Sequence, residues 1–221
     1  MGIAERRERE KQNRQELILN AAVQVYLRDG YHASTVEKIA QEAEVSRATV
    51  YLYFRTKDEI FVHAVVQYMR LLGDGLKRLA QHYDSTRQDL LEGLFDVFKG
   101  FYRKDPTLFG LSLYFFQREM VRSLPEELRL LLDKTGSRNY RYLTRIATIG
   151  VESGFFKKSD PRTLAEVLFS SYLGIVHLEN SKASMEHKTH LEETTDLAFR
   201  VMREGVVAES EERREHKYHL K

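Results

Sequence analysis

Apolar side chains return every third or fourth position along almost the whole chain, and little interrupts them. Only 3 prolines and 12 glycines punctuate its 221 residues, few for a sheet protein with many turns. This spacing sets one buried stripe on each of a series of helices. Leu17, Ile18, Ala21, Ala22, Val25 and Tyr26 form the first stripe, which Gly30 ends. Val36, Ile39, Ala40 and Ala43 form a short second one, opened by Ser34 and Glu37 at capping-box spacing. A third helix starts at Ser46 and runs to about residue 54. A fourth begins with Thr56 and Glu59 and continues through Phe61, Val65, Tyr68, Leu72, Leu76 and Leu79. Leu91, Leu94, Phe95, Phe98, Phe101 and Tyr102 form a further stripe, and a helix runs from Glu126 to about Gly154. Leu164, Val167, Leu168, Ser171, Tyr172, Ile175 and Val176 line the next, and a last one carries Leu191, Thr194, Ala198, Val201 and Met202. The prolines stand at helix starts: Asp105-Pro106 and Asp160-Pro161 read as an N-cap with proline at N1, and Pro125 opens its helix with Glu126. The fold class is all-α, with about nine helices.

Charge and composition exclude more than they assign. Lys and Arg number 35 against 33 Asp and Glu, a net charge of +2. Within residues 1–61 the two signs are equal, so a case for a nucleic-acid partner rests on where the charges sit. The chain has no cysteine, which rules out disulfides, thiolate metal sites and a cysteine nucleophile. The longest uncharged runs, 106–117 and 167–178, fall short of the roughly 20 residues that span a bilayer. The charged start, from Glu5 to Arg14, is no secretory signal. A cytoplasmic protein without a membrane partner is expected.

Residues 34–57 carry the functional signal: a short helix, a tight turn, a second short helix and an immediate further helix. That is the helix-turn-helix arrangement, whose second helix enters the major groove. From Val45 to Lys57 there are three cations (Arg47, Arg55, Lys57) and no acid. Arg47 lies in the first turn, from which such helices reach base edges, and arginine pairs bidentately with guanine. Thr49, Tyr51 and Tyr53 carry hydroxyls suited to phosphates, and Lys57 adds charge at the first turn of the next helix. Val45, Val50 and Phe54 face inward. Short capped helices and half-buried tyrosines are also common in proteins that bind no DNA, so spacing alone leaves both readings open.

The run T-V-E-K-I-A-Q-E-A-E-V-S-R-A-T-V-Y-L-Y-F-R-T-K-D-E-I-F, residues 35–61, closely resembles the TetR family of bacterial regulators. Ile18-Leu19, Ala21-Ala22 and Gly30-Tyr31 stand where that family has its first-helix pattern. The resemblance is dense over about the first quarter of the chain. G-F-F-K-K-S-D-P-R-T-L-A-E, from Gly154, extends it more weakly. It implies a three-helix DNA-binding domain over 1–57 and a larger effector-binding and dimerisation domain over 58–210, whose helices around the effector correspond to 61–83, 90–103, 108–122, 126–153 and 164–180; the mixed charges over 211–221 read as a tail. It implies groove contacts from Arg47, Ala48 and Tyr51 and phosphate contacts from Thr35, Thr49, Tyr53 and Lys57. With Ser46 at the helix start, these are the DNA-facing set. One position departs: Glu44 stands where the family usually has a turn glycine, a strain of roughly 1 kcal/mol if φ must be positive. Arg6, Arg7, Arg9, Lys11 and Arg14 read either as a basic arm on the duplex or, with Glu5, Glu8 and Glu10 among them, as a frayed, solvated helix start.

The resemblance further implies a homodimer on a pseudo-palindromic operator, released by a small, largely hydrophobic effector and needing no cofactor. Aromatic stripes and interrupting polar residues nominate Phe95, Phe98, Tyr102, Phe109, Ser112, Phe116, Gln117 and Tyr172 for the effector, although such stripes more often are core. The last two helices nominate Tyr172, Gly174, Ile175, Ala198, Val201 and Met202 for the dimer interface. His187 and His190, near Glu186 and Glu193, read as a solvated charged face rather than a metal site. Two other classes compete with a regulator. A helical enzyme lacks any catalytic spacing, with Glu152, Glu166 and Glu179 unsupported by partners in the sequence. A hydrophobic-ligand carrier has no use for the Arg47, Tyr51 and Lys57 surface.

Overall fold

The computed structural model describes residues 2–83 and 89–209; the expected charged tail lies outside them. Ten helices follow one another among the described residues: α1 (Ile3–Ala33), α2 (Val36–Glu42), α3 (Arg47–Tyr51), α4 (Lys57–His82), α5 (Leu90–Lys104), α6 (Pro106–Phe115), α7 (Arg118–Ser123), α8 (Glu126–Glu152), α9 (Pro161–Ser184) and α10 (Leu191–Val206). They form no strand; an isolated bridge pairs Phe156 with Val207. No helix among the described residues is long and apolar enough to cross a membrane.

The extra helix relative to the sequence reading comes from a break in the segment expected as one helix over 108–122. Phe116 ends α6, and Gln117 is extended (ψ 137°) before α7 begins. The inward residues of α6 are Phe109, Leu111, Ser112 and Phe115. An uninterrupted helix would place Glu119, four residues beyond Phe115, on that buried face. The break leaves Glu119 exposed and buries Met120.

Helix starts follow local chemistry. Asp105 and Asp160 accept hydrogen bonds from the N–H groups of Leu108 (2.9 Å) and Thr163 (2.8 Å), as the Asp-Pro pairs predict. The start of α2 corrects the sequence reading. Its N-cap is Thr35, whose hydroxyl accepts from the Lys38 N–H at 3.3 Å. Ser34 is buried, and its hydroxyl donates to the Gly30 carbonyl at 2.6 Å. Gly30 breaks α1 before its last turn with φ 76° and ψ 171°, backbone that only glycine adopts without strain.

Packing divides the chain into two compact units whose boundaries fall within α4, between α5 and α6, and within α8. The first comprises residues up to Met69 together with Asp105–Thr135. Its core joins Ile18, Ala22 and Val25 of α1, Ile39 of α2, Val50 of α3, Phe61 and Val65 of α4, and Leu111 and Phe115 of α6. The second comprises Arg70–Lys104 and the chain from Gly136 onward. At its centre Phe98 stacks on Tyr172 (ring centroids 5.5 Å apart), and Phe95 meets Tyr172 and Phe199 edge-on. Such ring pairs add about 0.5–1.5 kcal/mol each beyond area burial.

Candidate nucleic-acid interface

α3 has five residues, too few to hold a helix by its own hydrogen bonds. Its geometry is imposed from both sides. On the inside, Val50 is fully buried and Phe54 nearly so, each worth about 1.5–3 kcal/mol. At the start, the Ser46 hydroxyl accepts from the Thr49 N–H at 3.0 Å and pairs with the Thr49 hydroxyl at 2.8 Å. The turn before it is a Schellman closure of α2: Val45 N–H reaches the Ala40 carbonyl (2.9 Å) and Glu44 N–H that of Gln41 (3.1 Å). The closing residue is Glu44, in left-handed backbone at φ 51°. The positive φ that a turn glycine would supply is therefore present, adopted by a glutamate.

The outward face of this frame carries Ser46, Arg47, Ala48, Tyr51, Leu52 and Arg55, all exposed. Leu52 is 80% exposed and was not anticipated by sequence reasoning. Its signal was present: it lies outside the inward set Val45, Val50 and Phe54. Arg47 is held against Glu37 of α2 (2.6 Å) with its guanidinium 6.0 Å from the centre of the Tyr51 ring. Both ends of that pair are more than half exposed, so it is a weak, salt-screened restraint. Glu37 is kept below the ordinary carboxylate range by its own backbone N–H, then by the Thr35 hydroxyl and Arg47. Thr35, Thr49 and Tyr53 flank the face, Thr35 exposed and the other two half-buried.

Lys57 has a task that spacing did not suggest. Its ammonium donates to the carbonyls of Tyr31 (2.9 Å) and Ser34 (3.2 Å), and lies 4.5 Å from the centre of the Tyr31 ring. It therefore closes the carbonyl end of α1 onto the start of α4. The Tyr31 hydroxyl donates to Asp58 beside it, and burial first, then Asp58, pushes that phenol well above its usual range. At the start of α4, the Thr56 hydroxyl accepts from the Glu59 N–H (3.1 Å) and Glu59 accepts from the Arg55 N–H (2.6 Å).

α1 is helical from Ile3, ahead of the residues that pack into the core. Arg7, Lys11 and Arg14, spaced i, i+4 and i+7, share one face. With Glu10, Asn13, Leu17 and Tyr53 they line an open cleft of about 620 Å³. Arg6 is paired with Glu10 at 2.9 Å.

The residues nominated for an effector fall into two groups. Phe95, Phe98, Tyr102 and Tyr172 belong to the second unit; Phe109, Ser112, Phe116 and Gln117 belong to the first. Phe95, Phe98 and Tyr172 fill the aromatic core described above. Tyr102, hydrogen-bonded to Asn180 (2.9 Å), lines with Tyr172, Lys99, Arg103 and Thr195 a small cavity of about 170 Å³. Phe109 and Ser112 are buried, the Ser112 hydroxyl donating to the Phe109 carbonyl, whereas Phe116 and Gln117 are exposed. Of the dimer nominees, Gly174 and Val201 are exposed and Ile175, Ala198 and Met202 partly so, while Tyr172 is turned into the core. Val167, Gly174 and Leu178 form an outward stripe on α9, and Leu197 and Val201 one on α10. His190 N–H donates to the buried Glu179, which also pairs with Lys182, so this carboxylate anchors the start of α10. Among the described residues no three His, Asp or Glu side chains converge as a metal site would need.

The sequence of residues 18–64 matches the family model described as bacterial regulatory proteins, tetR family. Residues 18–64 are thus the DNA-binding segment characteristic of the TetR family. It is 29% identical over 157 residues to a fatty acid metabolism regulator protein of Bacillus subtilis, covering 70% of this chain and 77% of that one. Among solved structures, FadR from Bacillus subtilis in complex with stearoyl-CoA superposes with a TM-score of 0.65 at 24% identity, covering 84% of this chain and 96% of that one. SmeT, repressor of a Stenotrophomonas maltophilia multidrug efflux pump, does so at 0.67 and 20% identity, covering 89% and 91%. These likenesses show the all-α TetR fold. The matched segment and the regulator relatives identify a helix-turn-helix DNA-binding transcriptional regulator, and the Arg47–Tyr51 face lies within the matched segment.

Proposed function

We propose that this TetR-family chain is a ligand-responsive repressor that binds a pseudo-palindromic operator as a homodimer and leaves it when a small, largely hydrophobic effector binds. The observation that carries the DNA half is the outward face of α3. Arg47, Ala48, Tyr51 and Leu52 are presented on a backbone fixed by Ser46, Val50 and Phe54, with no acid between Val45 and Lys57. Arg47 reads a guanine, Leu52 and Ala48 offer apolar contact to thymine methyls, and Thr35, Ser46, Thr49, Tyr51 and Tyr53 donate to phosphates and base edges. The cationic face of Arg7, Lys11 and Arg14 extends the electrostatic footprint along the duplex. Lys57 serves the frame rather than the phosphate.

By function the chain divides into residues 1–57 for DNA and 58–210 for effector and dimer. The outward stripes of α9 and α10 supply an isologous interface. The ligands in relatives' names, stearoyl-CoA among them, support a small-molecule effector, and the aromatic content of the second unit supports an apolar one. A cytoplasmic regulator that is not an enzyme follows from this reading. The test is selection of duplexes from a random library, then titration of the recovered duplex and a scrambled one across salt. Sequence-dependent binding by a dimer, weakening steeply with salt, is expected. Equal binding to both duplexes at every salt concentration refutes operator recognition.

A further inference from the structure

The second unit contains a guanidinium edge whose partner the described residues do not supply. Arg138 lies half-buried on α8, and its Nε and Nη2 are shut off from solvent with no hydrogen-bond partner among the described residues. A guanidinium stays protonated in proteins, so it cannot escape burial by losing its charge. Leaving the N–H groups of a charged edge buried and unsatisfied is costly. The two nitrogens are also the two ends of one edge of the guanidinium. Their N–H bonds run parallel, which is the geometry that grips both oxygens of a carboxylate or phosphate.

The opposing helix makes room for this edge. A Cβ at Gly73 of α4 would stand 2.7 Å from Arg138 Nη2 and 2.3 Å from Asn139 Oδ1. Glycine inside a helix is less favourable than alanine. Here it lets two polar side chains of α8 approach the α4 backbone within a unit whose other central side chains are largely apolar and aromatic.

We infer that Arg138 is the anion-binding residue of the effector site, so that the effector carries a carboxylate or a phosphate as well as an apolar body. This rests on the reading of the chain as an effector-responsive regulator. The experiment titrates the purified full chain with octanoate, octyl phosphate and 1-octanol, which share a tail and differ in head group, and follows binding by calorimetry. At least one of the two anions should bind at least tenfold more tightly than the alcohol; whether octanoate or octyl phosphate is preferred identifies the head group. Arg138→Met should lose at least tenfold in affinity for the anion and leave 1-octanol unchanged. Arg138→Lys, which keeps the charge but not the fork, should fall between. Without ligand, Arg138→Met should melt no lower than the parent chain, because a buried, unsatisfied guanidinium edge has been removed. Equal binding of anions and alcohol, no binding of either anion, unchanged anion affinity in Arg138→Met, or a lower melting temperature of that variant would each overturn the assignment. Duplex binding by the same proteins without ligand separates the two readings. A parent chain that selects no duplex refutes the regulator, whereas normal duplex binding with a head-group-blind pocket refutes the anion site alone.

Discussion

Glu44 is the position at which the recognition frame is under strain, and relieving it gives a measurable result. Left-handed backbone costs a residue with a Cβ about 1–2 kcal/mol, and Glu44 sits there at φ 51°. Glycine removes that strain but gives back roughly 0.5–1 kcal/mol through the greater freedom of its unfolded chain. Glu44→Gly should therefore gain about 1 kcal/mol or less. For a chain of 221 residues that is a rise in Tm of about 2–4 °C at most, read at fixed protein concentration because a dimer's Tm depends on it. The exposed carboxylate adds a second effect, since it stands at the turn that leads into α3. Glu44→Gln separates the two: it removes the charge and keeps the strain. Duplex affinity should rise in both variants, by similar factors and most at low salt, while Tm should rise only in Glu44→Gly. Equal melting temperatures for the two variants would show that the turn holds glutamate without strain and would refute the argument.

Four further outcomes follow from the same geometry. Arg47→Ala should lose about tenfold or more at one base step and relax preference there, with little change at other steps; uniform weakening on all duplexes would make Arg47 a phosphate contact instead. Lys57→Met removes charged hydrogen bonds to the carbonyls of Tyr31, His32 and Ser34, so it should lower stability by about 2–3 kcal/mol in chemical denaturation with little effect on the salt slope of duplex binding; a shallower slope at unchanged stability would restore the phosphate role. Replacing Arg7, Lys11 and Arg14 together with glutamine should reduce the salt slope by up to about three per protomer, measured by anisotropy over a salt series, and an unchanged slope would place the arm off the DNA. Val201→Glu, on the exposed stripe of α10, should give monomers by sedimentation and abolish tight operator binding; a monomer that still binds tightly would refute the two-fold reading.

The helices were legible because their stripes are long and regular, and the Asp-Pro caps because their chemistry is local. The errors are equally local. Ser34 and Glu37 have capping-box spacing, but the Ser34 hydroxyl is claimed by the Gly30 carbonyl, a bond that depends on the unusual ψ of Gly30. The break after Phe116 has neither glycine nor proline to announce it; only the question of what a continuous helix would do with Glu119 exposes it. The outward placement of Arg47, Ala48 and Tyr51 is legible because these residues and their anchors lie close in sequence, whereas Leu52 is not singled out. The bonds of Lys57 to the α1 carbonyls are not legible in the sequence because its partners, Tyr31 and Ser34, lie more than twenty positions away. The packing of α6 and α7 with the first unit is likewise a long-range fact that periodicity does not encode.

The shortness of α3 has a bearing on how such proteins diversify. Its structure is written at Ser46, Val50 and Phe54, whereas Arg47, Ala48, Tyr51 and Leu52 contribute surface and almost no internal packing. On the proposed reading, stability and operator choice are thus encoded in different letters of the same nine-residue word. A mutation at 47, 48, 51 or 52 can rewrite the address of the regulator without endangering its fold, so lineages can drift between operators through folded intermediates. A library confined to those four positions should yield folded proteins almost throughout, scattered across many target sequences.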